Sequence, residues 1–292
     1  MLIVPQTYFL DIPILNADGT HKIAVHEWGN ANAEETVFCV HGLTRNGRDF
    51  DVLASSLCDS YRVIAVDMVG RGKSQWHTDH AHYNYVDYVA DIAHIFTQLK
   101  LIKTHWIGTS MGGIIGMMVA NSFPQFLKTL TINDIGCLVP AAGLKRIAEY
   151  VSTNNFKTRA EAEAALCSRC AAYGIQAEEH WQNLFVHSIE ETGDCCFRLA
   201  YDPAIAQGFV KNDDVKDIDL WSLWEMVKKI PTLLIRGDKS DILPAGVAKK
   251  MQETHPNLQL LTVPDVGHAP ALMDDAQITT IAGFLKASAQ TV

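Results

Sequence analysis

Thr104-His105-Trp106-Ile107-Gly108-Thr109-Ser110-Met111-Gly112-Gly113 is an apolar run that ends at a serine held between glycines. Gly108 to Gly112 fits G-x-S-x-G, which needs a glycine two residues either side of the serine because a sharp strand-to-helix turn leaves no room for Cβ atoms there. Glycine and serine are common in loops, so the flanks decide what the match is worth. Gly113-Ile114-Ile115-Gly116-Met117-Met118-Val119-Ala120 reads as a buried helix, with Gly113, Gly116 and Ala120 spaced to let its backbone approach a sheet closely. A strand before and a helix after make Ser110 the candidate nucleophile.

Toward the N-terminus, Tyr8 to Leu15 and His21 to Trp28 alternate partly around Asn16-Ala17-Asp18-Gly19, a hairpin signal. Thr36-Val37-Phe38-Cys39-Val40 is wholly apolar after its first residue, as expected of a strand covered on both faces. It runs into His41-Gly42-Leu43-Thr44. Apolar positions Phe50, Leu53, Ala54 and Leu57 recur at helical spacing, Tyr61 to Val66 returns to a strand, and Tyr85 to Leu99 has the period of a helix.

Asp67-Met68-Val69-Gly70-Arg71-Gly72-Lys73-Ser74 lacks the spacing of a phosphate loop and the helix that would follow one, so it reads as a structural turn. His77, His80 and His82 come next in polar surroundings; without carboxylate or cysteine partners close by in sequence, a solvated loop is expected there, not a metal site.

Leu127 to Asp134 is a further strand, and to this point strand and helix alternate, which predicts a mainly parallel sheet with helices on both faces. The rhythm then changes. Residues 138–220 are mostly helical in pattern, with polar breaks at Ser152-Thr153-Asn154-Asn155 and Glu191-Thr192-Gly193-Asp194, and read as a helical cap inserted after the sixth strand. The core is expected over residues 1–137 and 221–292. Alternation resumes there with a strand from Ile230 to Arg236, a helix from Ala245 to Glu253, a strand from Leu258 to Val263 and a closing helix from Ala276 to Ala287.

The whole is 292 residues, enough for one large α/β domain with an insertion. Hydrophobic residues at 48% and charged residues at 20% are ordinary for a globular enzyme and exclude disordered and fibrous classes. Thirty-three acidic against 24 basic residues leave little room for the dominant basic face that nucleic acid requires. Met1-Leu2-Ile3-Val4-Pro5 lacks the pattern of a signal peptide, no run is apolar enough to span a bilayer, and seven cysteines form no secreted disulfide framework. A cytoplasmic setting is expected.

A serine hydroxyl needs a base within hydrogen-bond reach and an acid to orient that base. In this topology the expected chain order is Ser, then Asp or Glu, then His. Val263-Pro264-Asp265-Val266-Gly267-His268-Ala269-Pro270 follows the last strand, and its loop can carry His268 over the strand ends, where sites in open α/β sheets form. His268 is the expected base. For the acid, Arg236-Gly237-Asp238-Lys239-Ser240-Asp241-Ile242-Leu243-Pro244 offers two carboxylates. Asp241 is preferred because it lies deeper in the loop and Ile-Leu-Pro would bury and stiffen its surroundings. Asp238, beside Lys239, is the alternative, and Asp134 a third, with a structural role in the turn to Gly136 expected first. The backbone N–H groups of Leu43 and Met111 are the expected oxyanion donors, and His41 is expected to hold its loop in shape without titrating.

His41-Gly42, the turn from Asp67 to Ser74, Gly108 to Gly113, Asp241 and Gly267-His268 resemble, in that order, the α/β-hydrolase superfamily, over nearly the whole chain. The resemblance implies an α/β-hydrolase fold, with an eight-stranded, mostly parallel sheet and a helical cap over the site, and is nearest the cofactor-free, serine-nucleophile esterase and carbon-carbon hydrolase branch. One departure stands out: the superfamily's acid loop often reads Gly-x-x-Asp, and here the preferred aspartate comes one residue later.

Cleavage of a carboxylic ester through an acyl-enzyme is therefore expected, with a small-molecule acyl substrate, no cofactor and no metal. The rivals are hydrolysis of a carbon-carbon bond in a vinylogous diketone and a catalytically silent binding protein on the same fold. A homo-oligomer is left open. Within the cap, Trp181, Phe185, Phe197, Tyr201 and Phe209, with Trp221 and Trp224 beyond it, read as core packing before substrate wall, and Arg146 and Arg198 as surface ion pairs before carboxylate holders. Cys167, Cys170, Cys195 and Cys196, with His180 and His187 between them, are poorly spaced for zinc and read as inert thiols.

Overall fold

The structure, a computed structural model, describes residues 2–193, 196–206 and 215–289. In chain order the core strands are β1 (Gln6–Pro13), β2 (Thr20–Trp28), β3 (Thr36–Val40), β4 (Arg62–Val66), β5 (Thr104–Thr109) and β6 (Leu127–Asn133). Among them lie α1 (Asp51–Leu57), α2 (Tyr85–Gln98) and α3 (Met111–Ser122). The insertion holds β7 (Leu138–Val139), α4 (Ala141–Val151), β8 (Asn155–Phe156), α5 (Arg159–Cys170), α6 (Glu178–Ser188), β9 (Ile189–Thr192), β10 (Cys196–Leu199) and β11 (Ile218–Asp219). The chain closes with α7 (Trp221–Val227), β12 (Thr232–Gly237), α8 (Ala245–Thr254), β13 (Leu258–Val263) and α9 (Asp275–Ala289).

Eight strands make one sheet in the order β1-β2-β4-β3-β5-β6-β12-β13. The hairpin β1-β2 joins antiparallel, and every pairing from β4 to β13 is parallel. Period-two alternation explains why the central strands are apolar throughout: Phe38, Val40, Ile64, Val66 and Leu234 face one cluster, while Val37, Cys39, Val63, Ala65 and Leu233 face the other. Helices α2, α3, α7 and α8 contribute to the first cluster through residues such as Ile92, Ile115, Trp224 and Met251. The second is closed by Leu53 and Leu57 of α1 and by Ile281, Phe284 and Leu285 of α9. Burying a side chain of this size contributes roughly 1.5–3 kcal/mol, so the two layers together hold the strand ends in register.

Residues 138–220 depart from the mostly helical expectation. β8, β10 and β9 form a three-stranded antiparallel sheet between the helices, and the polar break at Glu191-Thr192-Gly193 lies at its hairpin, whose Asp194 and Cys195 fall outside the described residues. At the base, β7 pairs with β11, so the chain leaves the core and returns to it side by side. The segment also adds a bridge to the core: Gly72 N–H donates to the Ala200 carbonyl at 2.7 Å and Asp202 N–H to the Gly70 carbonyl at 2.8 Å. Among the described residues no helix is long and apolar enough to cross a membrane.

Candidate active site

β5 delivers Ser110 into the tight turn that its sequence requires. Ser110 has φ 51°, a left-handed conformation costly for a residue with a Cβ, and α3 starts at the next residue. The turn is tight enough that a Cβ on Gly108 would overlap the Gly112 carbonyl, and one on Gly112 the Val40 carbonyl. Trp106, fully buried on β5, fastens the turn by donating its indole N–H to the Gly112 carbonyl at 3.1 Å.

The loop after β13 brings His268 over the strand ends, with Nε2 2.9 Å from Ser110 Oγ and Nδ1 2.9 Å from Asp134 Oδ2. A carboxylate only accepts, so Nδ1 carries the ring proton and the Nε2 lone pair faces the serine hydroxyl. Asp134 is fully buried at the end of β6, with φ 57°. Its Oδ1 accepts the Gly237 amide at 2.8 Å, and its Oδ2 also accepts the Ser240 hydroxyl at 2.6 Å.

The fold does not bring the expected acid, Asp241, to His268. Asp241 is exposed and gives both carboxylate oxygens to Arg146, at 2.6 and 2.9 Å, which holds its carboxyl below the usual range although burial acts to raise it. Asp238 is exposed beside Lys239. The Gly-x-x-Asp position counted from Gly237 holds Ser240, and the serine there donates to a carboxylate that comes from the neighbouring strand. The physical reason is register: β6 and β12 are adjacent and parallel, so the ends of both lie under the His268 loop.

The loop after β3 is held as its histidine suggested. His41 Nδ1–H donates to the Gly42 carbonyl at 2.6 Å and Nε2 accepts the Met68 amide at 2.9 Å. Complete burial pushes the imidazole down to about 4, against the smaller opposing effect of the Gly42 carbonyl and Asp67, so it is neutral. The amides of Leu43 and Met111 donate to no backbone or side-chain acceptor among the described residues.

Three residues at the site carried no recognisable sequence signal. Arg71 is fully buried, with no carboxylate within ion-pair distance among the described residues. It donates Nε–H to the Leu43 carbonyl at 2.9 Å and Nη1–H to the Val69 carbonyl and Tyr88 hydroxyl, and Nη2 lies 3.6 Å from Met111 Sδ. The rings of Tyr83 and Tyr88 flank its guanidinium, at 5.8 and 5.1 Å to the centroids. Asn133 donates to both Thr109 Oγ1, at 3.1 Å, and the Pro270 carbonyl, at 2.8 Å, so it ties the serine turn to the histidine loop. Arg45, beside Ser110, forms a two-point ion pair with Asp49. Arg71 and Asn133 depend on tertiary partners that no local pattern reveals, and Arg45, though its pair with Asp49 is local, also donates to Ser188.

The turn from Asp67 to Ser74 is structural in its contacts. Asp67 accepts the Gly47 and Lys73 amides at 2.7 and 2.8 Å, and although burial acts to raise its carboxyl, His26 and the Lys73 amide hold it low. His77 differs from expectation: it is buried, edge-on to His21 at 4.8 Å between ring centroids, while His82 pairs with Asp87 at 2.7 Å. Among the described residues no group of three or more His, Cys, Asp or Glu side chains could hold a metal ion. Cys170 and Phe185 are buried in the insertion's own cluster with Tyr201, Trp224 is buried in the core, and Cys195 and Phe209 lie outside the described residues. Arg198 pairs with Glu190 and lies over the Trp76 ring.

The family described as the alpha/beta hydrolase fold matches residues 35–275. The chain belongs to that family. It is 35% identical to the 3-hydroxybutyrate-oligomer hydrolase of Cupriavidus necator, over 94% of this chain and 96% of that one. A solved structure from Rickettsia typhi is 34% identical with a TM-score of 0.89, covering 98% of this chain and 99% of the other. An alpha/beta hydrolase from Novosphingobium aromaticivorans is 30% identical with a TM-score of 0.85, over the same shares. The protein is thus an enzyme of the α/β-hydrolase family, with its eight-stranded, mostly parallel sheet.

Proposed function

We propose that this enzyme cleaves a carboxylic ester through an acyl-enzyme on Ser110, with His268 as general base and Asp134 as the acid behind it. The observation that carries the reading is the unbroken run of hydrogen bonds from Ser110 Oγ through His268 to Asp134, 2.9 Å at each step. Asp134 fixes the tautomer, His268 takes the serine proton as Oγ attacks the acyl carbon, and the imidazolium that results gains from the buried carboxylate. The amides of Leu43 and Met111 supply the oxyanion donors in this reading, supported by their having no other acceptor among the described residues. Residues 138–220 serve as the cap, which is supported by Ile147, Tyr150, Tyr173 and Leu184 lining the cavity above Ser110. Trp181, Phe185, Phe197, Tyr201, Trp221 and Trp224, expected as core packing, are not part of that lining.

An ester substrate is favoured over a carbon-carbon bond by the Cupriavidus relative, named for hydrolysis of 3-hydroxybutyrate oligomers, whose units are joined by ester bonds. A small-molecule acyl substrate and a cytoplasmic setting complete the proposal. The test is labelling by a fluorophosphonate together with turnover of p-nitrophenyl butyrate and of a 3-hydroxybutyrate dimer. Wild type is expected to be labelled on Ser110 and to turn over both esters, and Ser110→Ala to do neither. Labelling with turnover of a vinylogous diketone alone would transfer the assignment to carbon-carbon hydrolysis, and no labelling at all would leave a binding protein.

A further inference from the structure

Ser110 lies in the wall of two clefts, which share Leu43, Ser110 and Ile147 and otherwise differ in character. Met111, Ile114, Ile135, Val139, Leu144 and Ile242 line the smaller, and its polar side chain besides the serine is Tyr85. The larger carries His268 and the charged pair Arg45 and Asp49, with Tyr150 and Tyr173 also in its wall. The two are not interchangeable for an ester.

The chemistry assigns the two halves. When the bond from the acyl carbon to the alcohol oxygen breaks, its electron pair stays on that oxygen, which must take a proton from His268 Nε2. His268 lines the larger cavity and not the smaller. The leaving alcohol therefore lies in the larger cavity, and the acyl chain, still bonded to Ser110, takes the apolar recess beside Met111 and Ile114. Water then adds to the acyl carbon, giving its proton to His268, and the serine oxygen takes that proton back as the acid departs.

Arg45 is the cation in the wall of the larger cavity. The side chain is only 5% exposed, and Nε and Nη2 are committed to Asp49, at 2.9 and 2.5 Å, with Nη2 also donating to Ser188 Oγ at 2.9 Å. Its Nη1 has no hydrogen-bond partner among the described residues, so a guanidinium fixed by Asp49 and Ser188, in a residue that lines the cavity, keeps unused donors. Donors held in place by such an ion pair discriminate between a ligand that offers an acceptor and one that does not.

Resting on the acyl-enzyme reading above, we propose that Arg45 Nη1 binds an acceptor oxygen on the leaving alcohol, so that the preferred substrates are esters of a short apolar acyl group with an oxygen-bearing alcohol such as a hydroxy acid.

The test compares butyryl-lactate with sec-butyl butyrate, which match in acyl group and in the branching of the alcohol. Wild type is expected to favour butyryl-lactate in kcat/KM, and Arg45→Met to lower that preference about tenfold, the worth of one hydrogen bond to a charged group. Because lactate has left before deacylation, hydrolysis of a preformed butyryl-Ser110 should change far less in Arg45→Met than that preference does. Ile114→Phe should do the reverse, shifting the acyl-length optimum downward and slowing deacylation while the preference between alcohols persists. Should Arg45→Met fail to fold, Arg45→Lys keeps a cation beside Asp49 but withdraws the second donor arm, and its preference is read in the same way. An unchanged preference in the folded Arg45 variant overturns the proposal, as does an Ile114→Phe effect confined to the alcohol. A butyryl-Ser110 adduct seen by intact mass keeps the underlying mechanism standing in either case; absence of the adduct sinks that mechanism instead.

Discussion

His268 Nδ1 stands 2.9 Å from Oδ2 of Asp134, a residue 134 positions earlier in the chain and on a different strand from the loop in which the acid was expected. Ser240 occupies that loop's usual acid position and donates to the same oxygen at 2.6 Å. The carboxylate has one set of donors and two strands from which it could have come.

Asp134→Asn is therefore expected to lower kcat on p-nitrophenyl butyrate by about 10³ to 10⁴, the loss that follows when the base is held in the wrong tautomer. Asp241→Asn removes a half-exposed ion pair with Arg146, and Asp238→Asn an exposed side chain; each should stay within about threefold of wild type. Adding Ser240→Asp to Asp134→Asn should restore part of the lost turnover, because the new carboxylate starts within hydrogen-bond reach of residue 134. Turnover in all four proteins checks the assignment, and a larger loss at Asp241 than at Asp134 would reverse it.

Arg71 meets the lining of the two clefts through Leu43 and Met111, so on the proposed mechanism its part is positioning. Arg71→Met should lower kcat about tenfold with little change in KM, because the oxyanion donors matter only once charge has developed. Binding of a boronic acid that mimics the tetrahedral intermediate should weaken in step. Arg71→Lys, which keeps charge but loses the fork that reaches Leu43 and Tyr88 together, should recover little of it. Equal losses in kcat and in overall stability, with boronate affinity intact, would make the residue purely structural.

The glycines of the serine turn should tolerate no side chain. Gly108→Ala and Gly112→Ala each force a Cβ into a carbonyl group of the backbone, which cannot retreat as a flexible side chain would, so soluble folded protein is not expected. Gly246→Ala is the control. It lies in α8 with open space around the added carbon, and should raise stability by roughly 0.5–1 kcal/mol in thermal melts.

Stability should fall as pH drops below neutral. Burial holds His41, His77 and His187 at about 4, below their ordinary 6.5, so between those values the unfolded chain binds protons that the folded one refuses. The stabilisation is complete above the unfolded value and is lost as pH falls toward the folded one. For His41, which is wholly buried near Asp67, Arg71 and Asp49, the loss comes to roughly 3 kcal/mol. Asp91, whose carboxyl burial raises, opposes the trend but is a single group. Urea midpoints taken from about pH 7 to about pH 4.5 check the sign, and a midpoint that held level or rose would contradict it.

What the sequence by itself determined is whatever depends on neighbours along the chain. Glycines two residues either side of Ser110 dictate a turn whatever surrounds it; apolar runs of five or six residues between amphipathic segments dictate a parallel sheet covered on both faces; and a glycine before His268 marks a loop past the last strand. The insertion was legible only as a break in rhythm, since β8, β9 and β10 are two to four residues each and too short to show a period. The proposed acid, the support of the Leu43 loop and the placing of the two clefts beside Ser110 belong to the tertiary structure. Two adjacent parallel strands end beneath the same histidine, so either could present the carboxylate, and local pattern favoured Asp241. Arg146 of the insertion pairs with Asp241, while Asp134 is buried, with the Gly237 amide and Ser240 hydroxyl to hold its carboxyl group in the orientation that meets His268. Hydrogen-bond partners separated by a hundred residues are a property of the fold, and only the fold could name them.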